Sequence, residues 1–359
     1  MKKSLFVIFL VSVFVFSGLL AADKSLEETL EELSGQAAKS YVNPIVSAFG
    51  SNLNGGWFHK APKAKLFGFD IEFGFIVMGT MFDDKNKDFS TVGNFNFTTA
   101  QAEVMIANLN LTQDAHDALI EAIINQEFEV GMFGPTIIGD NDDNIIIEFY
   151  EEDIDYEIAG NTFTQTVPGN TFDLGIGGLL EDTPMLPLFA PQFSIGTIYG
   201  TKASFRYLPP YEIEDLGELN YFGFGIQHNP KAWLPYLIPV DICLAFFTQS
   251  MEIGDIVTAN ATAFGLNASK TFGPGMLSIT PYAGFMLESS NMEFQYEYQL
   301  GDDPTGQPFP PKKVKFDIDG ENKSRFTIGL NFRIGPVNLN GDYNLGKYNS
   351  FTAGFGLGF

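Results

Sequence analysis

The sequence is poor in the residues that most catalytic and metal sites require. Its 359 residues include one cysteine, Cys243, and three histidines: His59, His116 and His228. A single cysteine excludes an intramolecular disulfide. No histidine lies in a motif with a nucleophilic serine or cysteine, and Gly-x-Ser-x-Gly, His-Glu-x-x-His and phosphate-binding glycine loops are absent. We therefore predict that the chain is not an enzyme and uses no cofactor.

Basic residues are also scarce, with 20 Lys and Arg against 44 Asp and Glu, for a net charge of −24. Binding to phosphate backbones needs clustered cations, so we expect no nucleic-acid partner.

The acidic residues are densest over 140–157, which predicts an exposed loop or the end of a hairpin. Four residues there have the spacing of a calcium-binding loop: Asp140, Asp142, Asn144 and Glu151. The position that needs glycine holds isoleucine, so we expect a solvated hairpin and no metal site.

Long apolar runs are absent except near the amino terminus. The stretch from Leu5 to Phe16 is uninterrupted, follows Lys2 and Lys3, and precedes small residues at Ala21 and Ala22. This layout predicts a secretory signal peptide over residues 1–22. A retained membrane helix is the alternative, but the run is short for a span of about 20 residues.

The chain is nevertheless 45% hydrophobic and contains 37 phenylalanines and 37 glycines. A transmembrane antiparallel β-barrel, an all-β fold, reconciles these facts, because only alternate residues of each strand must be apolar. A secreted β-sandwich is the alternative. The predicted spans, with weaker strands between 127 and 177, give about 12 to 14 strands. They are 66–78, 144–150, 193–207 with a break, 219–228, 238–250, 257–271, 276–288, 291–299, 313–319, 324–334, 336–345 and 350–359.

The last nine residues alternate between apolar side chains and glycine or threonine, which predicts a strand with one lipid face and one lumen face. Four positions resemble the β-signal that the barrel-assembly machinery reads: Thr352, Gly354, Leu357 and Phe359. The pattern therefore predicts a bacterial outer-membrane location and the assembly machinery as a partner.

Residues 23–62 are predicted to form a helical segment, a possible plug, ahead of a barrel over residues 63–359. Leu26, Leu30 and Leu33 recur at helical spacing, so we predict a helix over 24–42 that plugs the lumen. Asn43-Pro44 should end it, because the residue before proline is pushed out of the helical region.

A helical insertion near 99–125 interrupts the barrel pattern. The two short helices are predicted over 99–109 and 113–125, and Thr98 and Gln101 form a capping box at the start of the first. An irregular insertion cannot lie in lipid. It therefore either covers a barrel mouth or folds inward as a gate, and both interpretations stay open.

Several runs along the chain form a recognisable pattern. They are Gly56-Trp57, Gly134-Pro-Thr-Ile-Ile-Gly139, Pro187-Leu-Phe-Ala-Pro-Gln-Phe-Ser-Ile-Gly-Thr197, Arg206-Tyr-Leu-Pro209, Leu216-Gly-Glu-Leu-Asn-Tyr-Phe-Gly-Phe-Gly-Ile-Gln-His228, Trp233-Leu-Pro235 and Ile238-Pro-Val-Asp-Ile242. Together they resemble a family of secreted bacterial proteins of unknown function, classed among outer-membrane barrels. The resemblance implies the fold but no site residues. A looser likeness, in architecture only, is to the FadL-type transporters of long-chain fatty acids, which carry an amino-terminal plug of similar length.

Two functional interpretations remain. The first is a monomeric channel or transporter for small hydrophobic or amphipathic compounds, surrounded by outer-membrane lipids; it predicts a helix inside the barrel and an apolar pocket beside it. The second is a surface or envelope-integrity barrel that displays acidic loops without transporting anything. It predicts a lumen filled by side chains and a helix outside.

Overall fold

The computed structural model describes residues 35–181, 183–213, 217–234, 239–254, 257–274, 276–298 and 312–359. These residues form two units. The barrel unit comprises residues 45–82 and 184–359, and the insertion unit comprises residues 35–44 and 83–183. The predicted signal peptide and the three leucines of the predicted plug, Leu26, Leu30 and Leu33, lie outside the described residues.

The described part of the chain contains three α-helices and 17 strands. In chain order they are α1 (Gly35–Asn54), β1 (Phe67–Met81), β2 (Asp88–Phe95), α2 (Thr99–Ile106), α3 (Gln113–Ile124), β3 (Phe128–Pro135), β4 (Ile146–Phe149), β5 (Glu152–Ile158), β6 (Asn161–Val167), β7 (Asn170–Asp173), β8 (Met185–Ile198), β9 (Thr201–Ile213), β10 (Gly217–His228), β11 (Asp241–Ile253), β12 (Val257–Ser269), β13 (Leu277–Tyr298), β14 (Lys312–Asp319), β15 (Ser324–Ile334), β16 (Val337–Leu345) and β17 (Ser350–Gly358). No helix among the described residues is both long enough and apolar enough for a membrane span.

Ten antiparallel strands close the barrel. They follow the order β12-β11-β10-β9-β8-β1-β17-β16-β15-β13, and β13 pairs back with β12. The 22-residue β13 pairs with β15 over residues 277–287 and with β14 over residues 291–298. The predicted all-β antiparallel barrel is therefore confirmed.

The predicted count of 12 to 14 strands was too high. The weaker strands expected between 127 and 177 lie in the insertion unit, and β4 and β7 have only four residues each. A tilted strand needs about 9–11 residues to cross a bilayer. In addition, the two spans predicted over 276–288 and 291–299 are the single strand β13.

The barrel is apolar outside and polar inside. On β10, Phe222 and Ile226 are exposed, whereas Gly223, Gly225 and Gln227 are buried. This is the reverse of a soluble protein, in which buried faces are apolar. Inward polar side chains occur around the whole ring: Ser194, Ser204, Arg206, Gln249, Asn267, Glu288, Arg325, Asn340, Asp342 and Thr352.

A two-residue turn joins β8 to β9 at the break predicted within 193–207. Tyr199 and Gly200 both have positive φ, 49° and 71°. Positive φ at both central residues is the type I′ geometry, whose twist matches that of the flanking strands. The tight turn therefore makes β8 and β9 direct neighbours.

The insertion unit has its own core. Its sheet has the order β2-β3-β4-β7, and β5 and β6 form a separate hairpin. At the centre Phe97 contacts the rings of Phe128, Phe149 and Phe172, with centroid distances of 5.3–5.7 Å. The predicted capping box is confirmed, since Thr98 N donates to Gln101 Oε1 at 2.9 Å and Gln101 N to Thr98 Oγ1 at 3.4 Å.

Tyr41 anchors the described start of α1 within the insertion unit. Its hydroxyl donates to Gly177 O at 2.9 Å, and its carbonyl accepts from Ile137 N at 3.0 Å. Burial raises the pKa of the Tyr41 hydroxyl, so this group stays protonated and remains a donor.

The prediction that Asn43-Pro44 ends the helix was wrong. Helix α1 continues through Pro44 to Asn54, and the boundary between the two units falls between residues 44 and 45. Proline removes one intrahelical hydrogen bond and crowds the preceding turn. Here every residue from Pro44 to His59 is buried, and this tertiary packing outweighs the local penalty.

Candidate functional site in the barrel lumen

A continuous stretch of chain occupies the inside of the barrel unit. We call residues 45–62 the plug segment; it comprises the last ten residues of α1 and an irregular stretch that leads to β1. Its side chains contact inward groups of β1 and β11, and its main-chain carbonyls contact inward groups of β9 and β15. Because these strands lie around the ring, the segment is surrounded by barrel wall.

Serines hold the first part of the plug segment. Glu321 N donates to Ser47 Oγ at 3.0 Å, and Asn322 Nδ2 donates to Ser51 Oγ at 2.9 Å. Both partners lie between β14 and β15. The contacts fix the helix at this end of the barrel.

Asn52 spans two neighbouring strands of the wall. Its Nδ2 donates to Leu186 O on β8 at 2.7 Å, and its Oδ1 accepts from Thr80 Oγ1 on β1 at 2.8 Å. Donor and acceptor of one amide are thus both satisfied in a buried site, as buried polar groups require.

Arg206 binds the carbonyl end of α1 from β9. Nη1 donates to Leu53 O at 3.3 Å, Nη2 to Gly55 O at 2.8 Å, and Nε to Gln192 Oε1 at 3.0 Å. The guanidinium also lies over the Trp57 ring, 4.0 Å from its centroid. A fully buried cation is therefore held by three acceptors and an aromatic face.

Arg325 contacts the same helix end from β15. Its Nη2 donates to Asn54 O at 2.6 Å and lies 3.1 Å from Glu288 Oε1 on β13. The last carbonyls of a helix have no intrahelical partner, and cations there interact favourably with the helix dipole. The two arginines thus satisfy a helix end that is buried inside the barrel.

Trp57 provides the main apolar contact of the plug segment. Its ring stacks on Phe247 with a centroid distance of 5.2 Å, and its carbonyl accepts from Gln227 Nε2 at 3.2 Å. A β-carbon at Gly223 would lie 2.9 Å from the Trp57 ring, and one at Gly225 would lie 2.6 Å from Phe247. The inward glycines of β10 make room for the tryptophan.

Polar contacts also hold the end of the plug segment. Ala61 N donates to Ser269 Oγ at 3.0 Å, and Pro62 O accepts from Asn229 Nδ2 at 2.8 Å. Hydrogen bonds therefore follow the segment from Ser47 to Pro62.

The cavity beside this end is polar. Its volume is about 30 Å³, and its lining includes Lys60, Lys202, Arg333, Asp70 and Glu72. A hydrophobic ligand would need an apolar pocket, and this cavity does not provide one.

The sequence predicted a plug helix over 24–42, and the segment that the structure describes inside the barrel unit comprises residues 45–62. Residues 24–34 of the predicted helix lie outside the described residues, and the plug segment begins at residue 45. Helical periodicity missed it, because a helix in a polar lumen has no need of an apolar stripe. An available signal was the stretch over 47–56, which is small or polar except at Phe49 and Leu53 and directly precedes Trp57.

Arg206 and Arg325 also escaped prediction. The chain has only three arginines, Arg206, Arg325 and Arg333, and all lie on barrel strands. Cations at inward strand positions could have indicated a charged partner in the lumen.

The terminal strand has the predicted alternation. Thr352 and Gly354 face inward, whereas Leu357 and Phe359 are 37% and 77% exposed. Phe359 exchanges two backbone hydrogen bonds with Ile71, of 2.9 and 3.2 Å, next to the pairing of β17 with β1. The role of these residues in assembly stays a prediction.

Several solved barrels share a likeness with the chain. The amino-terminal barrel domain of OprF from Pseudomonas aeruginosa is 17% identical, with a TM-score of 0.21 over 44% of this chain and 94% of that chain. A loop-deletion mutant of OmpT, an outer-membrane protein of Vibrio cholerae, is 10% identical, with a TM-score of 0.23 over 81% and 99%. These values carry no argument about function.

The chain spans about half of another similar structure, the FrpB iron transporter from Neisseria meningitidis. It is 9% identical, with a TM-score of 0.18 over 79% of this chain and 55% of that chain. No curated protein matches the sequence. The family model of DUF6588, described as a family of unknown function, matches residues 1–359, and the chain belongs to that family.

Proposed function

We propose that the protein is a bacterial outer-membrane channel that carries its own plug. Exposed phenylalanines and leucines surround a polar interior, which is the distribution expected of a barrel in lipid. The ten closing strands have nine to 22 residues, enough for a tilted strand to cross a bilayer.

The observation that carries the channel proposal is the polar attachment of the plug segment. A typical hydrogen bond contributes only about 1 kcal/mol net, because water can replace either partner. Removing the plug segment from a wall of serine, asparagine and glutamine side chains therefore costs less free energy than removing it from an apolar core. Displacement of the plug segment would expose the polar side chains of the wall to water. The lumen would then be a water-filled path.

The polar wall also indicates which class of compound the channel would carry. A purely hydrophobic compound would find few apolar contacts along the lumen, whereas a small polar or amphipathic compound could exchange hydrogen bonds with it. The analogy with FadL-type transporters remains an analogy in architecture. The alternative, a barrel that displays acidic loops without transport, predicts that the helix lies outside the barrel. Residues 45–54 of α1 are instead enclosed by barrel strands.

A disulfide lock tests the channel. The side chains of Asn52 and Thr80 are in contact, with oxygens 2.8 Å apart, so Asn52→Cys with Thr80→Cys brings two thiols together between the plug segment and β1. The loss of free thiols on oxidation is measured first, because formation of the disulfide also depends on the distance between the β-carbons. The matched control is Ser194→Cys with Ser204→Cys, whose hydroxyls are also 2.8 Å apart but both belong to the wall. Buried Cys243 is replaced by alanine in both variants.

The measurement is the uptake of glucose by proteoliposomes before and after reduction. We expect the plug lock to block uptake when oxidised and to restore it when reduced, whereas the wall lock has no effect. Equal uptake by the oxidised and reduced plug lock, or no uptake by the reduced protein, would contradict a movable plug.

A further inference from the structure

Three cations meet at the cavity beside the end of the plug segment. Lys60 comes from the plug segment, Lys202 from β9 and Arg333 from β15. The chain has only 20 basic residues and a net charge of −24, so such a concentration is unusual for it. All of these residues belong to the barrel unit.

The two carboxylates of the cavity already have other partners. Asp70 pairs with Lys63 at 3.1 Å, and Glu72 lies 3.2 Å from His59 Nε2. Neither carboxylate lies within ion-pair distance of Lys60, Lys202 or Arg333 among the described residues. The three cations therefore outnumber the two carboxylates, whose closest charged contacts are with Lys63 and His59.

Lys202 has no acceptor for its ammonium group. The residue is only 9% exposed, and its Nζ makes no hydrogen bond or ion pair with any described residue. An ammonium with no close protein acceptor depends on water or on a bound anion for its hydrogen bonds. An anion in the cavity would supply the missing acceptor.

We propose that this cavity binds a single anionic group, a carboxylate or a phosphate. Lys202 and Lys60 would donate to its oxygens, because both ammonium groups lack a hydrogen-bond partner among the described side chains. Arg333 would contribute charge, since its Nε and Nη2 already donate to Gly335 O and Gly358 O. The amide of Asn338, on the cavity lining, would add a neutral donor.

The size of the cavity favours one group and not a whole ligand. A volume of about 30 Å³ is roughly that of two water-sized spheres. The group could be a free ion, or the charged end of an amphipathic molecule whose remainder lies elsewhere. The site does not depend on whether the barrel transports anything.

Isothermal titration calorimetry on the full chain in an uncharged detergent tests the site. The probes are inorganic phosphate, for a free ion, and octanoate, for an amphiphile, each with micelles alone as a blank. The variant is Lys202→Met, which keeps the length of the side chain without its charge. The control is Lys347→Met, because Lys347 is exposed and pairs with Glu321 at 2.6 Å, away from the cavity.

We expect saturable binding of at least one probe, with at least a tenfold loss of affinity in K202M and none in K347M. Binding of phosphate alone would identify a free ion as the source, and binding of octanoate alone would identify an amphiphile. If neither probe binds the wild type, or K202M binds as tightly as the wild type, the proposal is wrong.

Folding of the variant is checked separately. Because K202M removes a charge that has no ion-pair partner among the described residues, its heat-modifiable barrel band should persist to at least the wild-type temperature. If K202M does not assemble, Lys60→Met becomes the test variant with the same expected loss, since Lys60 is less buried.

Discussion

At the residue scale, Arg206 and Arg325 explain how a helix can end inside a barrel. The arginines donate to the carbonyls of Leu53, Asn54 and Gly55, and Leu53 O also accepts from Trp57 Nε1 at 3.1 Å. A guanidinium presents several donors in a fixed fork, so one side chain reaches more than one carbonyl. The lumen therefore holds the helix end through two cations.

Replacing Arg206 with methionine should loosen the plug segment and leave the wall intact. Hydrogen bonds to charged groups contribute about 1.5–3 kcal/mol, and R206M leaves Leu53 O and Gly55 O without this donor. We expect amide hydrogen exchange over residues 45–62 to accelerate roughly 10- to 100-fold, measured by mass spectrometry.

Lys315→Met is the control for loss of a cation, because Lys315 lies on β14 in an exposed pair with Glu293. It should leave exchange over 45–62 unchanged. Equal acceleration in the plug segment and in β1 and β8 of R206M would instead indicate a general loss of barrel stability.

At the element scale, strands with one lipid face were the most predictable part of the molecule. The span 324–334 matches β15 at both ends, because apolar and polar residues alternate throughout it. The sequence did not reveal that α1 passes Pro44, since a local penalty says nothing about the packing that opposes it. Both inward arginines also escaped prediction, because their partners are far away in the chain.

Substitutions in the terminal strand can distinguish a role in assembly from a contribution to stability. Phe359→Ala keeps both backbone hydrogen bonds with Ile71 and removes a ring that is 77% exposed. If the ring is read during assembly, F359A should lower the amount of heat-modifiable barrel in the outer-membrane fraction and leave degraded protein in the periplasm.

Phe355→Ala is the matched control, because Phe355 lies on the same face of β17, is 45% exposed and is outside the four signal positions. It should assemble at close to wild-type levels. Equal losses in F355A and F359A would point to lost lipid contact, and normal assembly of F359A would contradict the signal.

At the scale of the whole molecule, the insertion unit interrupts what is otherwise a hairpin. β1 and β8 are adjacent in the ring, their pairing continues to Met81 and Met185, and Phe82 N donates to Pro184 O at 3.1 Å. The chain leaves and re-enters the barrel at neighbouring points, as expected where an insertion leaves the sheet closed.

Replacing residues 83–183 with Asn-Gly should therefore still give an assembled barrel. The two-residue turn suits the twist of antiparallel strands, and shortening a connection reduces the entropy of loop closure. The measurement is heat-modifiable mobility in the outer-membrane fraction. A control with Gly-Gly-Ser-Gly-Gly at the same junction separates the choice of turn from the loss of the insertion unit. We expect both variants to assemble. If both fail, formation of the barrel unit depends on residues 83–183, although none of its ten closing strands comes from them.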